Sequence, residues 1–261
     1  MHAAGRREAD LLDPGAVTRL VEELRPTHLV HFAWYAEPGA FWQSPENERW
    51  RTASLHLLET FAASGGERAV VAGTCAEYDW SGDGLLSERS TPLAPQTPYG
   101  EAKNALREAT EKLSLSLAWG RIFFLYGPHE DPRRLVASVT RSLIAGTPAR
   151  TTHGQQVRDF LHVADAGDAF AALLDSAVEG PVNIGSGEGV AVADVVQRLA
   201  AIVNRPDLLQ LGALETAPND PPVLVADVAR LRDDVGWQPS RSLDDGLPDT
   251  VEWWRSRDFA A

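Results

Sequence analysis

Two short, near-continuous apolar runs limit most sharply what this chain can fold into: Arg68-Ala69-Val70-Val71-Ala72-Gly73-Thr74, and residues 117–128 around Arg121-Ile122-Phe123-Phe124-Leu125-Tyr126. Strands of this kind are buried on both faces, the signature of a parallel sheet covered by helices. The first run ends on a hydroxyl, Thr74, at the strand end where open α/β sheets present groups to ligands. Between the runs, Thr97-Pro98-Tyr99-Gly100-Glu101-Ala102-Lys103 reads as a helix start. Thr97 suits the N-cap, Pro98 the first helical position, and residues 104–113 continue with strong helix formers. Tyr99 and Lys103 then lie one turn apart on one face. A free phenol titrates near pH ~10, and a cation one turn away favours the phenolate, which brings proton exchange with a hydroxyl or ketone toward neutral pH. The same spacing also occurs on ordinary exposed helix faces.

The rest of the chain keeps the alternation of helix and strand. Residues 15–24 carry Val17, Leu20, Val21 and Leu24 at helical spacing after Asp13-Pro14, and residues 28–33 read as a strand. Residues 46–63 form a long helix with Trp50, Leu55, Leu58 and Phe61 along one stripe. Residues 79–96 are polar and turn-rich, a long loop of the kind found near sites. A helix at 135–145, the segment Val157-Arg158-Asp159-Phe160-Leu161-His162-Val163-Ala164-Asp165, a helix at 164–176, a strand and glycine turn at 180–187, and an amphipathic helix at 190–203 follow. The chain closes on a helix with Trp253-Trp254.

With 261 residues and 44% hydrophobic content, the chain is long enough for a sizeable core. A formal charge of −13 argues against nucleic acid and anionic membrane surfaces as partners. The single cysteine, Cys75, excludes an intrachain disulfide and a cysteine metal cluster, and it fits a reducing cytoplasm. The sequence has no signal peptide, membrane-spanning run or internal repeat, so the expected location is cytoplasmic.

Thr74, the Tyr99–Lys103 pair and the Arg121–Pro128 strand together resemble the extended short-chain dehydrogenase/reductase family, in its NAD-dependent epimerase/dehydratase branch acting on nucleoside-diphosphate sugars. The resemblance implies an α/β fold, a doubly wound parallel sheet that is Rossmann-like and N-terminally incomplete, with a smaller C-terminal α/β substrate lobe. It divides the chain into a cofactor domain at 1–128 and a mainly substrate-binding lobe at 129–261. Thr74, Tyr99 and Lys103 take the catalytic positions, Thr74 opening the T-x-x-x-Y turn that ends at Tyr78. Asp10, Leu11, Phe32 and Ala33, with Tyr99 and Lys103, take positions beside NAD or NADP, although Asp10 also suits an N-cap. Val157-Arg158-Asp159-Phe160 resembles the family's R-D-F signature, so Arg158 would grip a substrate diphosphate and Phe160 would pack near the base. Asp159, His162 and Asp165 read as residues that fix the strand–helix junction and cap the helix. The resemblance also implies a homodimer through the helices at 46–63 and after Thr97, while an apolar stripe equally describes plain core.

Several departures narrow the reaction. Dehydratases of this branch carry Asp-Glu after the catalytic hydroxyl, whereas this chain has Cys75-Ala76, and Glu77 one position on is expected to point elsewhere. Phe124 stands among the substrate-binding positions where epimerases often carry Asn, and Ala217 replaces a second phosphate-binding Arg. These favour reduction of a 4-keto nucleoside-diphosphate sugar, or epimerisation through such an intermediate. The glycine-rich G-x-x-G-x-x-G cradle for the dinucleotide pyrophosphate is absent from the sequence. Either the reading frame extends upstream or the chain is a repurposed relative, a non-catalytic nucleotide-sugar-binding or scaffold protein. In the 261-residue chain the strand at 28–33 is expected to lack a neighbour and to expose an apolar edge, which a restored upstream strand would cover.

Overall fold

The computed structural model describes residues 1–82, 84–218 and 220–258. In chain order the elements are α1 (Pro14–Leu24), β1 (His28–His31), α2 (Glu46–Ala63), β2 (Arg68–Thr74), α3 (Pro98–Thr110) and β3 (Ser116–Ile122). They continue with β4 (Phe124–Tyr126), α4 (Leu135–Ile144), β5 (Ala149–Arg150), β6 (Val157–His162), α5 (Val163–Asp175), β7 (Gly180–Ile184) and β8 (Gly189–Ala191). Last come α6 (Val192–Val203), β9 (Leu209–Gln210), β10 (Val223–Leu224), α7 (Ala229–Asp233) and α8 (Leu243–Asp258).

One compact unit comprises Met1–Asp79, Thr91–Arg121 and Phe170–Val182. Its sheet has the order β1-β2-β3-β7, and β1 runs parallel to β2 with Val30 opposite Val70. Every residue of β2 is buried, as its composition demands. The core over this sheet joins Leu58 and Phe61 of α2, Leu106 of α3, and Ala69, Val71 and Trp119 of the strands. Trp50 and Leu55 of the expected α2 stripe are half-buried. Helix α1 begins at Pro14, one residue before the expected start, because the Asp13 carboxylate accepts from the Gly15 and Ala16 N–H groups and caps it. Strand β1 ends at His31, so Phe32 and Ala33 lie beyond the ladder and are exposed. Among the described residues β1 stands at the edge of its sheet, paired with β2 alone. Arg68 anchors the far end of β2. Its guanidinium donates to the carbonyls of Leu173, Leu174 and Val178 and so closes the C-terminus of α5.

The second unit comprises Trp80–Ser90, Ile122–Ala169 and Asn183–Ala261. The run read as one strand over 117–128 is two, β3 and β4, interrupted at Phe123, whose N–H donates to the Ile184 carbonyl (3.1 Å). The reason is pairing: β3 lies between β2 and β7, whereas β4 pairs in parallel with β6, and one straight ladder cannot serve both sheets. β6 also pairs in parallel with β10 and antiparallel with β8. Helices α4, α6 and α8 bury Val139, Leu143, Val195, Leu199, Leu247 and Val251 with Phe160 of β6. Asp159, fully buried, accepts from the N–H groups of Ser186, Gly187 and Ala226, which makes the 185–187 glycine turn a structural one. No helix among the described residues is long and apolar enough to cross a membrane.

Candidate active site

Thr74 closes β2 and opens the one-turn 3-10 helix Cys75–Glu77. Its Oγ1 accepts from the Ala76 N–H (3.2 Å), which leaves the hydroxyl proton to donate outward. Helix α3 starts as the sequence predicts: Thr97 Oγ1 accepts from the Gly100 N–H (3.1 Å) and Pro98 occupies the first position. Gly100 is required here by close approach, since a Cβ would sit 2.3 Å from the Ala76 carbonyl oxygen. The helix therefore packs directly on the turn that carries Thr74. One turn on, Lys103 is buried and donates to the Ala72 carbonyl of β2 (2.7 Å). Tyr99 is half-buried, edge-on to Phe41 (4.9 Å between centroids) and Trp42 (5.5 Å).

Glu77 points into the core beneath this turn. Its side chain is fully buried and accepts from the Thr74 N–H (2.9 Å), Trp119 Nε1 (2.9 Å) and Arg121 Nε (2.8 Å). Arg121 also donates to the Tyr78 hydroxyl (2.9 Å). The Trp119 indole passes so close beneath β2 that a Cβ on Gly73 would lie 2.1 Å from its Nε1. This ion pair under Thr74 is the feature sequence reasoning missed. The available signal was a carboxylate and a guanidinium each set in an otherwise apolar stretch, a combination that buried charges need.

Burial lowers the Lys103 ammonium to about 7, with the Glu77 charge opposing the shift. His31 is lowered to about 3 by its own burial and by the Lys103 charge, so it stays neutral, with Nε2 against Ser54 Oγ at 2.9 Å. The unfolded chain takes up a proton on His31 below its ordinary 6.5 and the folded chain does not, so stability is lost as pH falls from 6.5 toward 3. His31→Gln should remove that part of the acid sensitivity, up to about 1.4 kcal/mol per pH unit within the window, measured by urea unfolding of both proteins across it. Equal slopes would mean that the imidazole is solvated.

Asp10 is not the cap of α1. Its carboxylate accepts from the Leu12 N–H (3.0 Å) and pairs with Arg6, closing a local turn. Leu11 packs against Val17, Val21 and Leu57 and lines a cleft of about 380 Å³ with Pro14, Thr52 and His56. Within the second unit, Arg158 is buried, donates to Asp220 Oδ1 (2.5 Å) and lies over the Phe124 ring (5.4 Å). Phe160 is buried in the helix core, 6.2 Å from Phe124 between centroids. His162 Nδ1 accepts from the Ala164 N–H at the start of α5 (3.2 Å). Asp165 lies inside the first turn of α5 and holds Ser240 and Arg241 instead of capping the helix.

Residues 2–185 match the model of the NAD dependent epimerase/dehydratase family. A dTDP-glucose 4,6-dehydratase of Xanthomonas campestris pv. campestris is 26% identical over 95% of this chain and 78% of its own. A UDP-glucose 4-epimerase of Rhizobium meliloti is 26% identical over 96% of this chain and 83% of its own. Among solved structures, the Thermus thermophilus UDP-glucose 4-epimerase in complex with NAD superposes with a TM-score of 0.84 at 28% identity, covering 95% of this chain and 84% of that one.

Proposed function

The chain belongs to the NAD-dependent epimerase/dehydratase family, and from that premise we propose that it reduces a 4-keto nucleoside-diphosphate sugar, with epimerisation through the same intermediate as the neighbouring outcome. The observation that carries this is the packing of α3 on the Thr74 turn, with Lys103 buried one turn from Tyr99 and bonded to the last part of β2. Tyr99 delivers a proton to the carbonyl oxygen, or removes it from the alcohol in the reverse direction. Thr74, its lone pair engaged by Ala76, donates a hydrogen bond to the same oxygen. The Lys103 charge favours the phenolate left behind. Dehydratases of this branch eliminate water with an Asp-Glu pair beside the catalytic hydroxyl, and Cys75-Ala76 stand in its place here.

The residues present fit the nicotinamide end of NAD or NADP: a half-buried phenol, an ammonium, and the exposed Phe32 and Ala33 just past β1, at the strand ends where such sheets bind dinucleotides. The bound cofactor supplies the hydride. Asp10 and Leu11 belong to the same proposal on the adenine side. The G-x-x-G-x-x-G cradle is not in the sequence, so no residue of this chain is assigned to the pyrophosphate. The second reading is a nucleotide-sugar-binding protein without turnover, which would use Arg158 of the second unit and not the Tyr99–Lys103 pair.

In the second unit Arg158 is the candidate diphosphate ligand, with the substrate displacing Asp220 from a guanidinium suited to a two-oxygen partner. Phe124 and Phe160 complete that assignment, and the division into a cofactor domain and a substrate lobe, a homodimer and a cytoplasmic location go with it. The test is to supply NADH or NADPH with UDP- and dTDP-linked 4-keto hexoses and follow oxidation of the nicotinamide, with UDP-glucose as the epimerase arm. Ketone-dependent oxidation supports the reductase, and interconversion of UDP-hexoses without net oxidation supports the epimerase. Calorimetric nucleotide-sugar binding without turnover supports the second reading. In the active case Arg158→Ala should raise KM by about 10-fold or more with little change in kcat, because the contact is made equally in ground and transition states. An unchanged KM would leave Arg158 as the structural partner of Asp220.

A further inference from the structure

The Lys103 ammonium has a second partner besides the Ala72 carbonyl. It lies 3.8 Å from the ring centroid of Trp34, at the exit of β1, close enough for the ring quadrupole to bind the cation. The indole is itself held. Trp34 Nε1 donates to Asn47 Oδ1 (2.9 Å), and the buried Asn47 amide donates to the Phe41 (2.7 Å) and Ser44 (2.9 Å) carbonyls. Those bonds tie α2 to the 3-10 turn Phe41–Gln43, which also brings Phe41 and Trp42 edge-on to Tyr99. Trp34 reaches the same phenol, 6.4 Å between centroids at 74°. The pair is thus walled by aromatic rings whose positions are set through one asparagine.

We infer that Trp34 is a positioning residue for Lys103: its indole face holds the ammonium in place, and Asn47 holds the indole. The inference rests on the reading of Tyr99 and Lys103 as an acid–base pair. Its physical sense is that an ammonium removed from water needs compensation if it is to stay charged beside the phenol. Other groups face Lys103. His31 of β1 is neutral, Glu77 of the 3-10 turn is anionic but shared with Arg121, and Tyr99 lies on the same helix. The cation–π contact and the Ala72 carbonyl supply the direct compensation.

The sequence makes the test simple, because it contains two lysines, Lys103 and the exposed Lys112. Protein labelled isotopically at lysine Cε gives two resonances, and Lys112→Arg identifies which is Lys103. The pH midpoint of the Lys103 signal is then measured in the full chain, without substrate, carrying either ordinary or ring-fluorinated tryptophan. Fluorination weakens the ring quadrupole with little change of shape, so it should lower the midpoint by a few tenths of a unit in the native chain and leave it unmoved in Trp34→Phe. Trp34→Phe alone should lower it by about half to one unit. A midpoint indifferent to fluorination, or equally sensitive in Trp34→Phe, overturns the inference and leaves Trp34 as packing. Because no turnover is read, failure here is distinct from failure of the proposed reaction, which the Tyr99 variant below tests.

Discussion

Tyr99→Phe is expected to lower kcat by about 10⁴-fold in a turnover assay on an accepted substrate, the upper range for loss of a positioned acid–base group. The fold should be unaffected, because the ring contacts with Phe41, Trp42 and Trp34 do not involve the hydroxyl that is removed. Two companion changes make the result interpretable. Thr74→Val should cost less, on the order of 10²-fold, since it deletes one oriented donor and not the proton path. Lys103→Ala should move the kinetic pKa of the residual activity upward, because the phenolate loses its neighbouring cation. Turnover by Tyr99→Phe within about ten-fold of the native chain would remove Tyr99 from the chemistry.

The largest loss of stability is expected from Glu77→Gln. Breaking one side of a buried ion pair costs about 3–5 kcal/mol, because the remaining charge is left in a medium that cannot solvate it. Glu77 and Arg121 have side chains 0% and 1% exposed and stand 2.8 Å apart, so water cannot take over. The Tyr78 hydroxyl and ring stay beside the guanidinium but carry no opposing charge. The amide also offers one acceptor oxygen where the carboxylate served three donors, so Thr74 N–H, Trp119 Nε1 and Arg121 compete for it. Urea unfolding measures the loss, and a value below about 1 kcal/mol would mean that the pair is hydrated in solution.

The elements that carry the site were legible because their signals are local. The α3 start depends on Thr97, Pro98 and the next few residues, and β2 on seven consecutive residues of one character. Helix α2 coincides with the expected 46–63 for the same reason, an uninterrupted run of helix-compatible residues ending before Gly65-Gly66. The break at Phe123 was not legible. Strand propensity is high on both sides of it, and only pairing with two different sheets divides the run. Asp13 rather than Asp10 caps α1 because the cap must stand at a fixed offset from the first free N–H groups, and two aspartates three apart look alike until the helix start is set.

By itself, then, the sequence determined the class of sheet, the helix that presents a phenol and an ammonium on one face, and the hydroxyl at the end of β2. Each follows from residues adjacent or one turn apart, where backbone geometry leaves little choice. The tertiary structure alone decided what surrounds them. Trp34 meets Lys103 across 69 positions of chain, and Arg121 meets Glu77 across 44. Such contacts depend on how strands and helices stack, and the periodicity of neither partner encodes the other. The environment that takes Lys103 to about 7, and the ion pair that fixes the Thr74 turn, come from burial, which a chain acquires only when distant segments close over the same few side chains.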